Sequence, residues 1–199
     1  HVVGVAAVAL PAADRQHEVD AGIVRHLRER DAFRPGREPA LGRLGGRARR
    51  RAVRAEHADL ERVGDLAKNI AKRTQKLGEP RIPRAAIGLK HMSDLALLQL
   101  KNVLDAYATR DIEKARAVWE RDVELDALED SVFRDLLTFM MEDPRNITFC
   151  THLLFCSKNI ERVGDHATNI AETTHYLVTG EQLPVNRPKG STSSVMTGK

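Results

Sequence analysis

The chain has 199 residues, 42% hydrophobic and 30% charged, enough to bury one large core or two small ones. Aromatics are only 4%, which disfavours a β-sandwich, and the two cysteines, Cys150 and Cys156, form no disulfide framework and point to a reducing compartment. The formal net charge of +4 is unevenly placed: residues 1–55 hold 12 Lys+Arg against 6 Asp+Glu (+6), and residues 56–199 hold 20 against 22 (−2), so a nucleic-acid partner is not expected from the high pI alone.

The opening "HVVGVAAVAL" is apolar but short and has no basic segment before it, so it is not read as a signal peptide. No run approaches the roughly 18–20 apolar residues that span a bilayer. Residues 1–55 form an atypical Arg-rich segment, with Pro35, Pro39, the pair Gly45–Gly46 and arginines from Arg47 to Arg54, and without a 3.6-residue apolar stripe. Three readings stay open: a disordered or nucleic-acid-binding arm, a real but irregular first half, and a shifted reading frame up to about residue 56. The third is preferred because clean helical pattern returns abruptly at Asp59.

From there the pattern is helical. A helix over 57–78 ends near Gly78, with Pro80 and Pro83 beyond it. A second, from about Pro83 to Ala108, carries the stripe Leu89, Met92, Ala96, Leu100, Val103 and Tyr107. Asp111 is the expected N-cap of a third helix over 112–141. In "EDPRN", Asp143 caps and Pro144 suits the first turn of a fourth, which runs to about Thr179 and stops at Gly180. Residues 181–199 lack apolar periodicity and are expected to be a disordered tail.

"ERVGD" occurs twice, at 61–65 and 161–165, and residues 57–77 match 157–177 at 11 of 21 positions. The predicted fold is therefore all-α, a tandem repeat of two antiparallel three-helix bundles with an incomplete or atypical first one. Residues 56–79 are the last helix of the first repeat and 85–180 the whole second repeat.

On a helix Glu161, Asp165 and Asn169 follow at i, i+4 and i+8, within about 80° of arc. Phe149, Leu153, Cys156, Ile160, Val163, Ala167, Ile170 and Thr174 lie roughly 170° away, so the acids are expected to face outward. Glu61, Asp65 and Asn69 repeat this. Two carboxylates a turn apart with an amide beyond suit a hard or borderline cation; one such pair alone is more often a solvated charged face. Gly64 and Gly164 each cost roughly 1 kcal/mol inside a helix, a cost that close helix packing or access to the acids could offset. Asp122 and Asp126 share an arc with Ala115, Trp119, Phe133 and Leu137, and are read either as further metal ligands or as partners of Arg or Lys. No P-loop, GxGxxG, CxxC or Gly-x-Ser-x-Gly is present, and neither phrase carries the Glu-x-x-His of di-iron bundle enzymes.

The twofold "E-R-x-G-D-x-x-x-N-I-A" resembles the PhoU family. "PRNITFCTHLLFCSKNIERVGDHATNIAETTHYLVTGE" is similar to the last helix of such proteins, "ERDVELDALEDSVFRDLL" to the helix before it, and "ADLERVGDLAKNIAKR" to the third helix of their first repeat. The resemblance covers about residues 56–181. It implies a non-catalytic cytoplasmic regulator that restrains phosphate uptake and phosphate-starvation signalling, acting with the phosphate ABC transporter ATPase and the sensor kinase. It further implies iron, zinc or manganese at the E(D)xxxD motifs, Glu61 with Asp65 and Glu161 with Asp165, and a homodimer that meets the membrane through the transporter rather than by insertion. The competing reading is a carboxylate-bridged di-metal bundle enzyme or a metal-storage protein.

Overall fold

The structure, a computed structural model, describes residues 45–77 and 83–184. In chain order the elements are α1 (Gly46–Leu77), α2 (Pro83–Thr109), α3 (Ile112–Glu120), α4 (Asp122–Glu142), a 3-10 turn (Pro144–Asn146) and α5 (Ile147–Thr179), with no strand among the described residues. The class is all-α. Helices α2, α3–α4 and α5 form the antiparallel bundle expected for the second repeat, and α1 lies along α5. The expected partner helices of α1, and the readings placed on residues 1–44 and 185–199, lie outside the described residues.

Local chemistry sets the helix ends as expected. The Asp111 carboxylate accepts from the Lys114 amide at 2.9 Å, and Asp143 accepts from the Arg145 amide at 3.0 Å. Gly180 takes φ +80° and donates its amide to the Tyr176 carbonyl, closing α5 in the left-handed conformation that glycine adopts without steric cost. Leu183, inside the expected tail, instead tucks into the core, and the Glu181 carbonyl lies 3.0 Å from His175 Nδ1.

The core joins Leu89, Met92, Ala96, Leu100 and Val103 of α2 with Leu125, Val132 and Leu136 of α4 and Leu153, Cys156, Ile160 and Val163 of α5. Val63, Leu66 and Ile70 of α1 add to it, so the first copy of the repeat is packed on the second.

Two expectations are corrected. Helix α1 begins at Gly46, about ten residues earlier than 57, with the arginine run helical. Arginine and alanine are good helix formers, and Ala52 and Glu56 supply the buried positions of this turn. The single helix expected over 112–141 is two, broken at Arg121. Gln99 from α2 donates its amide to the Arg121 carbonyl at 3.0 Å, beside the Glu124 amide, which donates to the same oxygen at 3.1 Å. The Arg121 guanidinium holds Glu124 at 2.9 Å on the far side. The buried positions keep a three-and-four spacing through the break, Ala115, Val118, Asp122, Leu125, Val132 and Leu136, while Phe133 and Leu137, expected beside Trp119 on one arc, are exposed.

Candidate functional site

The two repeated helices, α1 and α5, run antiparallel against each other. Asp59, early in α1, meets residues late in α5: its Oδ1 lies 2.8 Å from His166 Nδ1 and accepts from Asn169 Nδ2 at 3.2 Å. At the other end the Arg73 guanidinium sits 4.0 Å over the Phe155 ring. The two "ERVGD" phrases therefore fall between these contacts, near each other on the antiparallel pair.

The two copies stand in different surroundings. Glu61 and Asp65 are exposed, and Asp65 makes only a loose 3.8 Å pair with Arg62. Glu161 was expected to face outward as well, yet its side chain is only 16% exposed, because α4 covers that side of α5. Burial raises its pKa above the ordinary carboxylate value, and the like charges of Asp165 and Glu129 raise it further, against Lys158. Lys158 Nζ donates to Glu161 Oε1 at 2.7 Å, while Oε2 is buried with no hydrogen-bond partner among the described residues. Burial likewise raises Glu129, with Asp130 and Asp126 adding to the shift.

Glu129 is the residue that the sequence reading missed. It lies seven after Asp122 and three after Asp126, so a 4–3 spacing in place of the 4–4 step to Asp130 marks it. Asp126 is half-buried on the same helix. Asp122 goes elsewhere: it is 3% exposed and accepts from the Thr168 hydroxyl at 3.1 Å in the core. Asn169 holds Asp59, and Asn69 is exposed on α1.

An unpartnered buried carboxylate oxygen beside other carboxylates is the donor chemistry that a hard or borderline cation takes. The fit is partial. Among the described residues no three His, Cys, Asp or Glu side chains converge closely enough to hold a metal ion, and the Lys158 ammonium stands as counter-ion to Glu161.

The two glycines of the phrase also differ. A Cβ at Gly164 would run into Leu125 Cδ2 and stand 3.3 Å from Gln99 Oε1, so this glycine lets α2 and α4 approach α5. A Cβ at Gly64 would meet no described atom within 4 Å. The cysteines are buried in α5, and burial pushes the Cys156 thiol up to about 11, which suits packing rather than nucleophilic chemistry.

The family model described as the PhoU domain matches residues 89–174, the span of α2 to α5. A phosphate-specific transport system accessory protein PhoU homolog of Rhizobium meliloti (strain 1021) is 62% identical over 140 residues, covering 70% of this chain and 59% of that protein. A namesake of Caulobacter vibrioides (strain NA1000 / CB15N) is 54% identical over 132 residues, covering 65% and 57%. The chain thus spans somewhat under three fifths of these relatives' length. The crystal structure of PhoU from Pseudomonas aeruginosa superposes with a TM-score of 0.71 at 31% identity, covering 90% of this chain and 87% of that one.

Proposed function

The chain belongs to the PhoU family, and on that premise we propose that it is a non-catalytic accessory and regulatory protein of phosphate-specific transport. The observation that carries this reading is the 62% identity to a relative named for that role. It works in the cytoplasm, docking on the transporter's ATPase and on the sensor kinase of the phosphate response as a homodimer. Two features are in keeping with such a role. No described helix is long and apolar enough to cross a membrane, and Phe133, Leu137 and Met141 leave an exposed apolar stripe on α4 of the kind that partners cover.

We further propose that Glu161 and Asp165, with Glu129 and Asp126 from α4, take up iron, zinc or manganese, and that Glu61 and Asp65 do so in the first repeat. A bound cation would neutralise the crowded carboxylates and offer Glu161 Oε2 the partner it lacks. Lys158 is the internal counter-ion on the other oxygen, Oε1, and a cation bound to this carboxylate would compete with its ammonium. Asp122 contributes to the core through Thr168 rather than to this site.

The reading is tested by co-purification of the tagged full chain with the phosphate transporter ATPase and the sensor kinase, at high and low phosphate. Capture of either partner in a phosphate-dependent amount supports it; capture of neither from lysates that contain both contradicts it.

A further inference from the structure

Four cations line one groove at the crossing of the repeats. The groove has a volume of about 360 Å³ and runs between α1 and α5, with Arg62, Lys68 and Lys72 on one side and Arg162 on the other. Two of these are the arginines of the repeated phrase, brought together from positions one hundred residues apart by the antiparallel packing. Only Leu66 offers an apolar side chain to the lining.

The charge is not balanced from within. Asp65 also lines the groove and faces Arg62 at 3.8 Å, with both side chains more than half exposed. Asp59, on the same helix, is engaged by His166 and Asn169. Lys68, Lys72 and Arg162 have no acidic partner among the described residues. Residues 56–199 carry a net charge of −2, from 20 Lys+Arg and 22 Asp+Glu, so this concentration of positive charge runs against the balance of its surroundings.

We propose that the groove binds a small anion carrying two or more phosphoryl groups. Three unpaired cations and a loosely held fourth call for a ligand with about three negative charges. The guanidinium forks of Arg62 and Arg162 suit tetrahedral oxyanions, and the two ammonium groups act as point charges beside them. The volume lies in the range of small-ligand pockets. The nearly apolar-free lining leaves a purine or pyrimidine nothing to stack on, so the phosphates are the part that is recognised. The proposal stands on the groove and not on the role in phosphate transport.

Calorimetric titration of the full chain tests it, with pyrophosphate, adenosine triphosphate, orthophosphate and citrate as probes. Saturable binding of pyrophosphate is expected, about tenfold or more tighter than orthophosphate, and weakening with added salt. Arg162→Ala and Lys72→Ala should each weaken it about tenfold. Lys90→Ala, an exposed cation of α2 paired with Asp94, should leave it unchanged, and Arg162→Lys should recover part of the loss, separating charge from folding. Equal affinity for pyrophosphate and the nucleotide supports recognition through the phosphates, whereas binding of the nucleotide alone would overturn it. Absence of saturable binding, citrate binding as tightly as pyrophosphate, or affinity untouched by both substitutions would overturn the proposal.

Discussion

Replacing Gly164 with alanine, and Gly64 with alanine as its counterpart, separates two explanations of the repeated phrase. At Gly164 the added methyl runs into Leu125 Cδ2, and Leu125 is buried in the core. Overpacking of this kind costs about 1–3 kcal/mol, and the gain in helix propensity offsets about 1 kcal/mol of it. At Gly64 no described atom lies within 4 Å, so only the gain of up to about 1 kcal/mol remains. The same substitution in two copies of one phrase should therefore differ by about 2 kcal/mol in effect, destabilising at Gly164 and stabilising at Gly64. Urea denaturation of the full chain, followed by circular dichroism, reads both as midpoint shifts. A Gly164→Ala chain as stable as the parent, or equal shifts in both variants, would refute the packing argument.

Three further outcomes follow from the carboxylate face and the helix break. Because the folded pKa of Glu161 is raised, the folded state binds the extra proton, and the metal-free chain should lose stability as pH rises from the ordinary carboxylate value through the raised one. Glu161→Gln should flatten that fall above the ordinary carboxylate range in denaturation curves; an unchanged slope contradicts the assignment. Metal analysis of the purified chain should show content falling with Glu161→Ala paired with Asp165→Ala, and with Glu129→Ala, but not with Asp122→Asn; loss confined to Asp122→Asn would place the site in the core instead. Gln99→Leu removes one of the two donors to the Arg121 carbonyl, leaves the Glu124 amide on it, and takes away the unpartnered Gln99 Oε1, so it should cost no more than about 1 kcal/mol by denaturation; a loss of about 3 kcal/mol would contradict that reading of the break.

Much of the fold is legible because long helices keep their phase. From Leu153 to Thr174 the seven apolar-arc positions of α5 are buried as the wheel places them, and Phe149 packs partly buried against the core. The end signals are local chemistry, so Asp111 and Gly180 do what their sequence positions imply, while Asp143, expected to cap the last helix, caps the 3-10 turn before it and α5 starts at Ile147. The break at Arg121 is not legible. No glycine or proline marks it, and one of the two donors to its carbonyl, Gln99, comes from another helix. The arc read across that break holds for Ala115, Trp119 and Asp122, which are buried, and fails beyond it, where Phe133 and Leu137 lie on the surface. For Glu161 the wheel gives the side of α5 on which it lies but not the neighbour that covers it. Covering by α4 turns a surface acid into a half-desolvated one and brings Glu129 to it. The arginines Arg62 and Arg162 read singly as solvated charges, and only the antiparallel packing of the two repeats joins them in one groove.

The central claim, a regulatory role in phosphate-specific transport, is tested most directly by complementation. A bacterium deleted for its own PhoU homolog would express the full chain alongside a reporter of phosphate-starvation genes. Restored repression of the reporter in high phosphate is the predicted result. Expression of folded chain at the level of the native homolog, with the reporter still fully derepressed, would contradict the account.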